Sequence, residues 1–415
     1  MNRKSIVAIV GQGFWGRVLG VSMVLFFVYL GDAILSDWVP SFIQDSTHSS
    51  FAMGLIISFS SIVGFTADLI FPQLLKLVKT RKLMLMAIGT SLIFSGILLW
   101  TIVLPWLLLF IFAMAAWGIY YEFLGFGRQQ FMIESVPGHS RSAAWAIMSV
   151  FRSLAYFLGP ILGSYIALTK GNSETVLAAV FFVLIGYFLW LVVGKNSKKT
   201  VLEGTGERID ILKEIRLWWI LLEHVWPVLT ISIVMGLVDA TYWTTGTVFS
   251  DRLAGENWLG GMFLPFYTLP MVLFGVVMAR WGVYKGKKRL AEIFMLVAGI
   301  LLACMGLVNS IYLMLLVSFL TGTAMSFAWP LTDAVYSDIV FRMGKEGKHM
   351  VGLSGSTISL AYIIGPILAG GIAQIVGEQA TFSILGILMT ILAVYLLMVT
   401  PKKLRLPQEV IKTWD

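Results

Sequence analysis

Apolar runs of about 20 residues, the length of one bilayer-spanning helix, alternate along this chain with short polar stretches. Twelve such runs are predicted as spans: 17–40, 51–75, 83–103, 105–127, 142–168, 175–194, 217–248, 256–281, 289–308, 311–335, 350–376 and 380–400. Tight turns near Pro105 and Asn309 separate the third span from the fourth and the ninth from the tenth. The basic residues follow the alternation. With both termini in the cytoplasm, 27 of the 30 Lys and Arg fall in cytoplasmic segments. Only Lys170 and Arg252 fall outside, and Arg152 falls within a span. Short basic loops stay on the cytoplasmic side, so this asymmetry supports the span count and predicts an integral protein of the cytoplasmic (inner) or plasma membrane.

The pattern also repeats. Residues 153–167 read SLAYFLGPILGSYIA and residues 359–373 read SLAYIIGPILAGGIA, matching at ten of fifteen positions 206 residues apart. A repeat at half the chain length implies two copies of one folding unit. The predicted organisation is an N-terminal six-helix bundle (1–195), a cytoplasmic linker with a surface helix (196–216), a C-terminal six-helix bundle (217–401) and a cytoplasmic tail (402–415). The linker helix rests on the apolar spacing in ERIDILKEIRLWW.

Two six-helix halves, a central linker and inside termini resemble the major facilitator superfamily, a family built on parallel repeats. Local motifs carry the resemblance in part. Gly64-Phe-Thr-Ala-Asp68 followed by Lys76, Lys79, Arg81 and Lys82 is similar to the family's glycine-to-aspartate signature. The glycine and arginine usual after the aspartate are missing (Leu69, Ile70, Phe71, Pro72). Gly275-Val-Val-Met-Ala279-Arg280 keeps the glycine and loses the acid. Gly159-Pro160-Ile161-Leu162-Gly163 resembles the glycine-proline motif of the 12-span drug:proton antiporters, with Ser164, Ala155 and Ala146 where glycines are usual. Gly365, Pro366, Gly370 and Gly371 repeat the element in the eleventh span. The resemblance implies an all-α membrane protein of twelve transmembrane helices in two pseudo-symmetric bundles, and a transporter tilted toward export.

Composition agrees with lipid as the solvent: 58% hydrophobic residues, mean hydropathy +0.87 and 13% charged residues, against about 25% charged in soluble domains. The net charge of +8 is spread over loops, so no nucleic-acid partner is expected. The lone Cys304 lies in an apolar run and reads as a small packed residue. There is no G-x-x-x-x-G-K-[ST] run for an ATP motor, no His/Cys metal cluster and no nucleophile elbow. Neither enzymatic activity nor a cofactor or metal is expected.

Charges inside the membrane point to the site, because each costs about 2.5–3.5 kcal/mol on insertion scales unless paired, wet or functional. Arg152 lies eleven residues beyond Arg141, about 16 Å deep at 1.5 Å per residue. It shares a helix face with Tyr156, Gly159 and Gly163. Its repeat counterpart is Ile358. Glu122 sits six residues before Arg128 in the fourth span and is the natural partner for Arg152, with Gly118 and Gly125 giving it room. A carboxyl in such a cavity can load and release protons near neutrality. Arg128 itself reads as the cytoplasmic end of that span. Asp32 and Asp239 occupy matching places 207 residues apart, Leu30-Gly-Asp-Ala and Leu237-Val-Asp-Ala. Asp239, Tyr242, Trp243 and Gly246 suggest a polar-aromatic wall. Asp333, with Ser326, Trp329 and Tyr336, marks a similar face on span ten, while Asp37 reads as solvated and Asp68 as a helix cap or gate latch. Gly64, Gly159, Pro160, Gly163, Gly365 and Pro366 read as packing and hinge positions.

The sequence therefore predicts a monomeric, alternating-access secondary transporter whose partners are the bilayer, protons and a small-molecule substrate. Export of a small organic compound against protons is the leading expectation, with Glu122 carrying the proton, Asp32 and Asp239 next, and Arg152 tuning it. An importer or facilitator of a sugar, nucleoside or organic acid is the first alternative. A non-transporting scramblase or assembly partner is the second.

Overall fold

In the computed structural model the described residues are 13–74, 78–137, 140–194, 211–280, 286–344 and 347–401, with Leu404 and Leu406. Among them, side chains are described except at 68–74, 142–143, 211–215, 275–280 and 348. All regular structure among these residues is helical.

The chain divides into two compact units, Met1–Thr47 with Phe59–Gly206, and His48–Ser58 with Glu207–Asp415. The first contains α1 (Gly13–Thr47), most of α2 (Ser50–Leu74), α3 (Thr80–Val103), α4 (Leu107–Ser135), α5 (Arg141–Thr169) and α6 (Asn172–Val193). The second contains α7 (Ile211–Tyr242), α8 (Thr245–Glu256), α9 (Phe263–Arg280), α10 (Lys287–Ala303), α11 (Ile311–Met343), α12 (Gly347–Val376) and α13 (Glu378–Val399). Residues 48–58, the opening turns of α2 and the loop before it, cluster with the second unit.

Helix ends follow local chemistry. Pro105 supplies no N–H and restricts the residue before it, and α3 stops at Val103 with α4 starting at Leu107. The matching turn tightens α10 into a 3-10 turn, Cys304–Leu307, before α11 begins. Cys304 is exposed on that turn, not packed as expected. Gly171 and Gly377 join the last two helices of each unit at φ 118° and 85°, where a side chain would clash with the backbone. They lie at equivalent repeat positions.

Among the described residues eleven helices are long and apolar enough to cross a bilayer, and a shorter apolar helical stretch, Trp258–Phe274, lies where the eighth span is predicted. Span seven differs from the expected single run over 217–248. Its helix breaks at Trp243–Thr244 and resumes at Thr245. Thr244 leaves helical geometry (φ −125°, ψ −84°), an event that hydropathy does not register. Span eight opens with a 3-10 turn, Trp258–Met262. Of the predicted linker and its surface helix, 196–210 lie outside the described residues, and 211–216 are the opening turns of α7. Of the tail 402–415, only Leu404 and Leu406 are described.

Packing repeats with the sequence. In the first unit α1 packs on α5 and α6, and α3 on α4 and α6. In the second, α7 packs on α12, and α10 on α11 and α13. One end of the second unit is closed by a buried ion pair. Lys288 Nζ donates to Glu292 Oε1 at 2.6 Å, to Thr400 Oγ1, and to the Pro401 carbonyl at 3.1 Å. This ties the segment after α13 to the start of α10, and Leu404 and Leu406 join the adjacent apolar cluster.

Candidate functional site

The repeated Gly-Pro element is first a packing device. A Cβ on Gly159 would collide with Ala33, and one on Gly365 would lie 2.7 Å from the Ala240 Cβ. In each unit a glycine lets one helix reach the alanine that follows the aspartate. Pro160, Gly163 and Pro366 are buried beside them. The close approach has a consequence one turn earlier on the same helix, where Tyr156 and Tyr362 precede their glycines by three residues.

Asp32 is buried in the middle of α1 (3% exposed). Its Oδ1 accepts the Trp117 indole N–H at 2.8 Å. Its Oδ2 accepts the hydroxyls of Tyr121 at 2.8 Å and Tyr156 at 2.5 Å. Trp117 and Tyr121 stand one turn apart on α4, so one helix face supplies both. In the second unit Asp239 is half-buried. Its Oδ1 accepts the Tyr267 hydroxyl at 2.7 Å, and its Oδ2 accepts Tyr362. The Asp–Tyr pair is thus duplicated, Asp32 with Tyr156 and Asp239 with Tyr362. Tyr362 carries a visible mark in the sequence, since it stands where Tyr156 stands in the repeat. Trp117, Tyr121 and Tyr267 have no such mark among 28 Phe, 15 Trp and 13 Tyr.

Two guanidinium groups converge beside Asp32. Arg152 lies 5.8 Å from the Tyr29 ring centre and 5.5 Å from that of Tyr156. Arg128 lies 5.7 Å from the Tyr29 centre, within cation–π range. α4 continues past Arg128 to Ser135, and Tyr29 is one turn from Asp32. Glu122 is half-buried on α4. A Cβ on Gly64 would come within 3.1 Å of its Oε1. Gly118 lets α4 approach the Ser60 carbonyl, and a Cβ on Gly125 would meet open space.

Several other expectations resolve differently. Tyr242 is fully buried, stacked on Tyr267 with ring centres 3.7 Å apart, so it is core and not a cavity wall. Trp243, half-buried, packs against the same core at the helix break. Asp333 is exposed on α11, while Tyr336 turns inward to Ser232 at 2.7 Å. Asp37 is buried (2% exposed) and accepts the Ser164 hydroxyl at 2.8 Å, rather than lying in solvent. The side chain of Asp68 lies outside the described residues.

The family model of the Major Facilitator Superfamily matches residues 21–282 and 257–414. No curated protein matches the sequence. Among solved structures, the human organic anion transporter MFSD10 (TETRAN) is similar at 16% identity and TM-score 0.65, covering 93% of this chain and 100% of its own. The nucleoside transporter NupG is similar at 11% identity and TM-score 0.72, covering 92% and 98%. A POT family transporter in complex with 5-aminolevulinic acid is similar at 14% identity and TM-score 0.71, covering 93% and 96%.

Proposed function

The chain belongs to the major facilitator superfamily, and we propose that it is a proton-coupled secondary transporter of a small organic solute in which Asp32 and Asp239 carry the protons. The duplicated Asp–Tyr pair supports this best. A carboxyl in a membrane span is expensive, yet both halves keep one, each hydrogen-bonded by neutral hydroxyl groups.

The donors suggest where the proton sits. A tyrosine hydroxyl both donates and accepts, whereas an indole N–H only donates. Asp32 Oδ1 faces the Trp117 indole and stays an acceptor. Oδ2 faces two tyrosines, either of which can turn to accept from a protonated carboxyl. The site can therefore gain or lose a proton on Oδ2 without stranding a buried group. Asp239 faces tyrosines on both oxygens. Glu122 ranks second, placed against Gly64 and outside the duplicated pair. The Gly-Pro element packs helices in both units and gives no direction of transport. Alternating access couples the flows only if proton and solute prefer different states of the carrier.

The test is reconstitution in vesicles containing a pH-sensitive dye, screened with charged and neutral organic solutes. Asp32→Asn and Asp239→Asn are expected to abolish solute-linked proton movement while solute exchange persists. Normal proton coupling in both variants would overturn the assignment.

A further inference from the structure

We infer that the first unit binds an organic anion, carboxylate or phosphate, through Arg128 and Arg152 at the Tyr29 ring. The inference rests on the transporter reading above and adds the class of solute. Two cations gathered on one aromatic ring repel each other, and a ring quadrupole offsets only part of their charge. The Asp32 carboxyl in the same setting takes hydrogen bonds from Trp117, Tyr121 and Tyr156. Among the described residues no carboxylate lies within ion-pair distance of Arg128. Its buried Nε–H has no acceptor there either. A guanidinium is permanently charged and offers a planar fork matched to carboxylate or phosphate oxygens. Arg152 is exposed, so a ligand can reach it. The second repeat has Ile358 at the position of Arg152, so the fold does not need the charge for its own sake. Around the pair the side chains are aromatic: the Tyr29 and Tyr156 rings are in contact, and the Tyr121 hydroxyl meets that of Tyr156.

The test uses full-length protein in phosphatidylcholine nanodiscs, with binding read by thermal unfolding and equilibrium titration. The probes are benzoate and phenyl phosphate, their neutral and cationic counterparts benzamide and benzylamine, and inorganic phosphate. At least one aromatic anion should bind saturably, and benzamide and benzylamine should not. Arg128→Gln and Arg152→Gln should each weaken anion binding by about tenfold or more, the expected effect of losing a charged hydrogen bond. Arg128→Lys and Arg152→Lys, which keep the charge, guard against misfolding and should retain part of the affinity. Equal binding of benzamide, no binding of either aromatic anion, or unchanged affinity in correctly folded Gln variants would sink the proposal. A second set of discs containing phosphatidylglycerol separates a lipid headgroup from a free solute. Stabilisation by that lipid alone, with no soluble anion bound, would overturn the solute assignment. Anion binding is read at equilibrium with no proton gradient, and proton movement only in the vesicle assay, so a failure of the proton-carrier reading and a failure of this one give different results.

Discussion

Two hydroxyls and an indole hold the Asp32 carboxyl. Tyr156→Phe removes one of two hydroxyls from Oδ2 and is expected to cost about 1.5–3 kcal/mol, the range for a hydrogen bond to a charged group. Tyr362→Phe should act in the same direction on Asp239. Thermal unfolding of the purified protein checks both, and unchanged stability in both would show that these contacts contribute little. Much of this constellation was legible. Asp32 and Asp239 stand out as paired acids inside apolar runs, and Tyr156 lies in the repeat. The approach of Arg128 to the Tyr29 ring was not legible, because residue counting locates a charge along a helix axis but not across a helix contact. Asp37 was misread for a related reason, since its burial depends on Ser164 across a helix contact.

At the level of helices, the Gly-Ala contacts set the distance across which each tyrosine reaches its aspartate. Gly159→Ala and Gly365→Ala are expected to destabilise by about 1–3 kcal/mol, as overpacking does. Thinning the partner should restore the fit. Ala240→Gly should rescue Gly365→Ala well, because the added methyl meets chiefly the Ala240 Cβ. Ala33→Gly should rescue Gly159→Ala only in part, because the Ala33 backbone also crowds that position. Thermal unfolding of the four single variants and two double variants measures this, and strictly additive effects would refute the coupling. The element boundaries were largely readable from hydropathy. The break at Trp243–Thr244 was not: the weak helix formers Thr244, Thr245, Gly246 and Thr247 mark it, but a span drawn by hydropathy runs through them.

For the whole molecule, the single cysteine reports sidedness. Cys304 is exposed on the turn joining α10 and α11, which the basic-residue asymmetry puts opposite the termini. A membrane-impermeant maleimide should label it on intact cells and fail to label Cys304→Ser. Labelling only in inverted vesicles would reverse the topology. The second unit also depends on its closing ion pair. Lys288→Met leaves the fully buried Glu292 with only Arg289 at 4.0 Å and the Thr400 hydroxyl at 3.1 Å and should cost about 3 kcal/mol, whereas replacing both Lys288 and Glu292 with apolar residues should be nearly neutral. Thermal unfolding distinguishes the two.

The twofold occurrence of the Asp–Tyr pair bears on the energetics of a complete transport cycle. One carboxyl per cycle limits solute accumulation to the first power of the proton gradient. Two carboxyls working in the same cycle raise that limit to the square, at the cost of a slower turnover when the gradient is weak. On the proton-carrier proposal, duplication of the bundle would supply a second gear, and the number of protons moved per solute tests it.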